Sequence, residues 1–277
     1  MGPIKEYSNR EYWRELDVEE DESRWDIVGS RGLYFNYYKE LFEKKLNSLL
    51  DYFKNKKVLE VGCGKGKWSL LFARNQAEVL ATDINPNMVK FCKKQAKKEN
   101  LAGLKVAVLD ITRERPKEKY DVIFTSTVLQ HICEEDMFEC AIRNMVLSLK
   151  SRGKIILIET AAPRPISRLL QKIADKTKGI QDCSYRSLSS YKKIFRKYGL
   201  KFVSFQGVDL SFPLSYGYMI ARSRSKKNWK KFFYQTRHTQ TRADKLLYRL
   251  FLLIDTFSDV FLVRNLSLHK VMIFREG

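Results

Sequence analysis

The sequence predicts an α/β fold: a Rossmann-like seven-stranded mostly parallel sheet with helices on both faces, an N-terminal helical cap and a helical insertion before the last strand. Three observations lead there. Between residues 57 and 160, short apolar runs alternate with longer stretches of helical period, the order of βαβ units. The run at 155–158 is apolar without interruption and that at 58–61 is apolar but for Glu60, as strands are when helices cover both faces of a sheet. VLEVGCGKGKWS, residues 58–69, breaks from an apolar run into glycines at 62, 64 and 66, the pattern of a strand that turns sharply into a helix and binds a ligand at the turn.

The elements follow in chain order. Residues 1–55 are aromatic-rich and of helical character, a cap over the sheet's edge or its active face; within them Arg31, Tyr34, Tyr37 and Tyr38 are read either as a lid or as core. KVLEVG is the first strand and SLLFAR its helix; EVLATD is the second, followed by PNMVKFCKKQAKKEN with Pro86 in the first helical turn after Asn85. LKVAVLD and YDVIFTS are the third and fourth strands. The acids Glu134, Glu135 and Asp136 open the next helix, and Gly153 after Lys150 and Arg152 reads as its stop before the fifth strand, GKIILIET. A helix over 187–198, Gly199 and the strand LKFVSFQ follow, and LHKVMIF closes the sheet. The resulting division is a cap at 1–55, a core at 56–207 plus 268–277, and an insertion at 208–267.

Composition sets limits. A chain of 277 residues, 44% apolar and 13% aromatic, suits a globular enzyme-sized fold and not a disordered one. The five cysteines are scattered, odd in number and never C-x-x-C, which excludes a disulfide framework and offers no metal-ligand set. Reduced thiols and an N-terminus (MGPIKEYSNREYW) without an apolar h-region fit a cytoplasmic location. The net charge of +20 is concentrated at the C-terminal end: residues 161–277 hold 24 Lys/Arg against 7 Asp/Glu. Such a surface attracts anionic partners, whether nucleic acid, acidic lipid headgroups or phosphorylated metabolites.

The glycine loop discriminates among ligands. No glycine is followed by the spacing of a P-loop, so nucleoside triphosphates are disfavoured; a dinucleotide loop has G-x-G-x-x-G, and here Lys67 stands at the third glycine's place. Glu60, ending the first strand, repels a pyrophosphate but suits an ammonium and a sulfonium, which is the chemistry of S-adenosylmethionine. Asp83 closes the second strand 17 residues after Gly66, placed to accept both ribose hydroxyls, and Asp110 ends the third, placed to accept from an adenine amino group.

EVGCGKG, ATDINPNM, VLDIT, YDVIFTSTVLQHI and GKIILIET, in this order, resemble the class I S-adenosylmethionine-dependent methyltransferases, in particular the ubiquinone/menaquinone-biosynthesis-like branch. That resemblance implies that Gly62, Gly64 and Gly66 make room for the methionine part, with Glu60 oriented toward it through water. It implies that Asp83 holds the ribose, Ile84 flanks the adenine, Asp110 and Ile111 border the adenine edge, and Thr125 and Ser126 face the transferring methyl. His131, in VLQHI, is the nearest general base for a hydroxyl acceptor or else packs behind the loop, and Tyr185 and Arg186 border the acceptor or cap the fold.

Some acceptors are disfavoured. TSTVLQ stands where amino-directed nucleic-acid methyltransferases carry Asn/Asp-Pro-Pro-aromatic, and no proline precedes a cysteine as cytosine C5 chemistry requires. Arg222 to Arg249 holds ten Lys/Arg and one acid, interleaved with Trp229, Phe232, Phe233 and Tyr234, which suits RNA and an anionic membrane surface alike. The helix that follows (246–263) gathers Leu246, Leu250, Leu253, Ile254, Phe257 and Phe261 on one face, with Asp255, Asp259 and Tyr248 opposite. Residues 222–263 therefore read as a peripheral membrane contact, with packing on the domain or on a second subunit as the alternative. The sequence thus points to a methyltransferase acting at oxygen on a small molecule, lipid or glycan; RNA methylation, or a non-catalytic cofactor-binding module for RNA or membrane, are the rivals.

Overall fold

The computed structural model describes residues 9–16, 33–176, 183–211, 242–257, 260 and 264–277. Its strands are β1 (Lys57–Val61), β2 (Glu78–Asp83), β3 (Leu104–Val108), β4 (Tyr120–Ser126), β5 (Leu149–Thr160), β6 (Leu200–Gly207) and β7 (His269–Glu276), in one sheet of order β3-β2-β1-β4-β5-β7-β6. β1 to β5 pair in parallel, whereas β7 runs antiparallel to both β5 and β6. The order reverses at β1/β4, and this switch point is where an open α/β sheet leaves a crevice at its strand tips. The helices are α1 (Asn9–Glu15), α2 (Leu33–Asn47), α3 (Lys67–Arg74), α4 (Pro86–Lys98), α5 (Glu135–Leu147), α6 (Arg164–Lys176), α7 (Leu188–Lys197) and α8 (Arg242–Thr256).

Alternating strand residues feed two cores. On one face Phe53 stacks on Phe72 at 4.0 Å and Phe124 meets Phe72 edge-on at 5.0 Å, joining Val58, Val79 and Ile156. On the other, Phe195 stacks on Phe274 at 4.3 Å among Leu59, Ile123, Leu157, Ile142 and Met145. Each fully buried Phe or Leu contributes about 1.5–3 kcal/mol from apolar burial, so the two cores fix the positions of the strand tips above them.

Two local readings change. Gly153 is not a helix stop: α5 has already ended, with Ser148 as its C-cap, and Gly153 lies inside β5, next to Arg152 at φ 61°. A Cβ at Gly153 would stand 2.7 Å from Leu149 Cγ and 2.8 Å from the Lys150 carbonyl, so the glycine permits the irregular entry of β5 beside Tyr120. Helix α6 has no counterpart among the elements expected from the sequence, its one mark being Pro165 in the first turn. Among the predicted lid residues Arg31 lies outside the described part, as do the side chains of Tyr34, Tyr37 and Tyr38; the basic aromatic stretch 222–241 lies outside it too.

Candidate active site

The strand tips of β1, β2, β3 and β4 bring together the residues the sequence singled out. The turn after β1 is held by one carbonyl: Gly62 N–H and Cys63 N–H both donate to the Thr82 carbonyl at 2.8 Å, and Gly66 N–H closes the turn on the Cys63 carbonyl at 2.9 Å. Gly62, Gly64 and Gly66 have φ of 74°, 51° and 89°, the left-handed region that favours glycine. At Gly62 a Cβ would be driven into the Val128 side chain, and at Gly66 into the Cys92 thiol. The protein's own packing therefore demands glycine at both positions, in addition to any close approach by a ligand. Cys63 meets Cys92, and that thiol pairing together with burial raises its pKa well above the usual value, so Cys63 is no nucleophile.

Glu60 is buried and accepts from the Ser69 hydroxyl of α3; burial raises its pKa well above the ordinary carboxylate range. Asp83 Oδ2 accepts from Gly64 N–H at 2.8 Å and Oδ1 from Asn85 N–H at 2.9 Å, so the carboxylate pins the glycine loop to the start of α4. Burial outweighs these bonds and raises its pKa. Asn85 Oδ1 in turn caps α4, accepting from Asn87 N–H at 2.8 Å and Met88 N–H at 3.3 Å. Ile84 is half-buried between Asp83 and Asn85.

Helix α1 crosses these tips as a strap. Arg10 Nε donates to Asp110 Oδ2 at 2.7 Å, Asn85 Nδ2 donates to the Trp13 and Leu16 carbonyls at 3.0 and 2.8 Å, and the Trp13 ring lies 4.6 Å from that of His131. Asp110 also accepts from Thr112 N–H and Oγ1; burial works against the charge, but Thr112 and Arg10 overcome it and hold the pKa low. Asp110 is thus already bonded to an arginine that no sequence pattern marks as its partner. Ile111, expected at the adenine edge, is buried in the α5-side core, and its carbonyl accepts from Asn144 Nδ2 at 2.8 Å.

At the tip of β4, Thr125 is buried and its hydroxyl has no hydrogen-bond partner among the described residues, while Ser126 is half-buried. The following residues turn back in a 3-10 turn (Leu129–His131) held by Glu159 at the end of β5. Glu159 is buried and accepts from Val128 N–H at 2.8 Å, Leu129 N–H at 2.9 Å and Gln130 N–H at 3.3 Å. Burial raises its carboxyl to about 7. Sequence reasoning missed it because a lone acid at a strand end carries no spacing signal.

His131 Nδ1 lies 3.4 Å from Cys183 Sγ, and burial lowers the imidazole to about 4, so it is neutral at physiological pH. Of the two readings of Arg186, at the acceptor or capping the fold, its contacts are those of the second: it fastens the same loop. It donates to the Leu129 carbonyl at 3.1 Å, the Ile132 carbonyl at 2.9 Å and Glu135 Oε1 at 2.8 Å, and its guanidinium lies 3.6 Å from the Phe138 ring centroid. Tyr185 is half-buried, its N–H on Gln171 Oε1 at 3.0 Å. Arg186→Ala strips two buried carbonyls of a charged donor and is expected to cost about 2–4 kcal/mol, a fall of about 5–10 °C in thermal midpoint by differential scanning calorimetry.

Paired carboxylates at two strand tips, a glycine turn and a Rossmann-like sheet with an antiparallel last strand define a nucleoside-binding transferase scaffold. Residues 52–237 match the family model described as "Methyltransferase domain", and the chain belongs to that family, the class I S-adenosylmethionine-dependent methyltransferases. The chain is 26% identical over 143 residues to phosphoethanolamine N-methyltransferase 1 of Caenorhabditis elegans, covering 51% of this chain and 30% of that enzyme. It is 33% identical over 108 residues to the ubiquinone biosynthesis O-methyltransferase of Pelagibacter ubique, covering 39% and 42%. The matched stretches span under half of these relatives. The fold is shared with magnesium protoporphyrin IX methyltransferase of Synechocystis, solved with bound SAH, at TM-score 0.59 and 14% identity over 97% of this chain and 98% of that one.

The residues present fit S-adenosylmethionine. Thr125 offers an unsatisfied buried hydroxyl at the β4 tip, and Asp83, with one backbone N–H on each oxygen, keeps lone pairs for a diol. Glu60 and Asp83 bring two acids together with no basic side chain bonded to either among the described residues; burial disfavours their charge, and a bound cation would favour it again. Such a pairing suits a cationic nucleoside.

Proposed function

We propose that this protein transfers a methyl group to an oxygen of a small-molecule, lipid or glycan acceptor. S-adenosylmethionine supplies the methyl on a sulfonium, a leaving group good enough that the protein's task is to align the acceptor and exclude water. Asp83 holds the ribose and orders the glycine loop, Glu60, bonded by the Ser69 hydroxyl, faces the methionine end, and the strap Asn9–Glu15 shields the strand tips from water. Thr125 and Ser126 border the place of transfer.

The observation that carries the oxygen assignment is the place of His131 at the tip of the turn after β4, its ring 4.6 Å from that of Trp13 in the strap. A hydroxyl acceptor must shed a proton during attack, and we assign that proton to His131, which burial keeps uncharged though less basic than free imidazole. Two consequences follow for assays. The His131→Ala variant loses about 10–100-fold in kcat with little change in KM for the methyl donor. Because the free base is the active form, His131 itself imposes no fall in kcat/KM between about pH 5 and 8; loss of activity through pH 6.5 that disappears in His131→Ala would contradict the lowered value.

The test of the reaction is incubation of the protein with isotopically labelled methyl donor and separated small-molecule, lipid, glycan and RNA fractions, read by mass spectrometry. Label on oxygen in one of the first three supports the assignment. Label in RNA, or on nitrogen, overturns it. Cofactor binding by calorimetry with no label in any fraction would favour a binding module.

A further inference from the structure

We propose that the outward face of α8 docks onto an anionic lipid bilayer surface. This stands apart from the choice of acceptor, since docking requires no methyl transfer. Helix α8 is mounted with its apolar stripe to the outside. Its inner face is held by buried Phe251, by half-buried Leu247 and Ile254, and by a buried acid: Asp255 accepts from Ser211 N–H at 2.7 Å and Ser211 Oγ at 2.9 Å. Seating Asp255 inside turns Leu246, Leu250, Leu253 and Phe257 outward, 69%, 47%, 58% and 55% exposed.

Their spacing of four, three and four residues makes one stripe along the helix, about 16 Å long at 1.5 Å per residue. A surface helix ordinarily has the reverse arrangement, with acids out and leucines in. Of the face expected over 246–263, Leu246, Leu250, Leu253 and Phe257 lie outward and Ile254 does not, the helix ends at Thr256, and Phe261, Asp259 and the side chain of Tyr248 lie outside the described residues.

Charge selects the occupant. Residues 161–277 carry 24 Lys/Arg against 7 Asp/Glu, and exposed Arg249 borders the stripe. A second copy would bring the same excess of positive charge to the interface. RNA would satisfy the cations but leave the leucines in water. An anionic bilayer satisfies both at once, headgroups taking the cations and the acyl boundary taking the stripe. Helix α6 has the same mixture, with Ile166 and Leu169 exposed among exposed Arg164, Arg168 and Lys172. No helix among the described residues is long and apolar enough to cross a membrane, so α8 would lie along the surface.

The test is cosedimentation of the full chain with phosphatidylcholine vesicles containing about 30% phosphatidylserine, against pure phosphatidylcholine. Binding is expected to the anionic vesicles, and Leu250→Ser with Leu253→Ser is expected to weaken it about tenfold or more. Both side chains are exposed, so the thermal melt by circular dichroism should stay that of the parent; Leu246→Ser with Phe257→Ser provides an independent pair at the stripe's ends. No sedimentation of the parent overturns the proposal. So does parental binding by both variant pairs, which would leave charge alone responsible. A dimer in light scattering that the variants dissociate, or RNA binding that the variants abolish, without vesicle binding, assigns the stripe to those partners instead.

Discussion

Asp83→Ala is expected to abolish useful cofactor binding while leaving the fold largely intact. Asp83 sits at the β2 tip with one backbone N–H on each oxygen, from Gly64 and from Asn85, so a single carboxylate both orders the glycine turn and presents its remaining lone pairs. Hydrogen bonds to a charged group are worth about 1.5–3 kcal/mol each, and losing the two that a ribose diol would make costs about 3–5 kcal/mol, roughly 10²- to 10⁴-fold in affinity. The effect on stability has the opposite logic. Burial already raises the Asp83 carboxyl pKa, which means the folded state bears a cost for its charge, and alanine relieves part of that cost while exposing two N–H groups at a half-buried edge. Calorimetric titration with S-adenosylhomocysteine, beside a thermal melt, separates the two. A melt unchanged within a few degrees with binding lost is the expected pair; binding retained within tenfold would remove Asp83 from the ribose.

The sheet was legible because its pattern is regular: the short apolar runs at 58–61 and 155–158, bounded by glycines, read as buried strands, and Asp83 ending β2 and Asp110 after β3 fall at the strand tips. What was hidden depends on which residue meets which across long sequence separations. Nothing near Arg10 marks it as a partner of Asp110, 100 residues away. Nor does Asn85, recognisable as a helix cap, disclose that its amide also ties down the strap through Trp13 and Leu16. The glycine loop is the instructive case. Glycine at 62 and 66 was attributed to ligand approach, yet Val128 and Cys92 occupy the space a side chain would need, so packing against the turn after β4 and against α4 requires the same residue. Arg186 shows the converse: an arginine next to a tyrosine reads equally as an anion site or as a cap, and it turns inward because the turn at 129–132 exposes carbonyls that need a donor.

These hidden contacts converge on the segment after β4. Val128 walls the glycine turn, His131 meets the strap through Trp13, and Arg186 fastens the carbonyl side of the turn. Its N–H side is fastened by Glu159 alone among the described side chains, through Val128, Leu129 and Gln130. A displacement here would reach the glycine turn and the imidazole together, so residues far from any reacting atom set the geometry of transfer.

Glu159 is accordingly the place where a small change should act most broadly. Glu159→Ala leaves three buried N–H groups without an acceptor, at about 1–3 kcal/mol each, a loss comparable to the whole stability of many domains. Glu159→Gln is the informative variant: its single amide oxygen can still accept from Val128 and Leu129, but its NH2 faces the Gln130 N–H, donor against donor. We expect it to fold with a reduced midpoint and to lose about 10- to 100-fold in kcat. It also isolates a pH effect. Burial raises the Glu159 carboxyl to about 7, against 4.5 when unfolded, so between those values the folded chain binds more protons than the unfolded one. Its contribution to stability is therefore full below pH 4.5 and is lost as pH rises through 7, by about 3 kcal/mol across the window. Urea denaturation at successive pH values should show the parent losing stability over that interval relative to Glu159→Gln, whose amide does not titrate. Parallel curves would mean that Glu159 stays ionised, the three N–H bonds having outweighed burial, and the turn after β4 would then be held by a permanent charge.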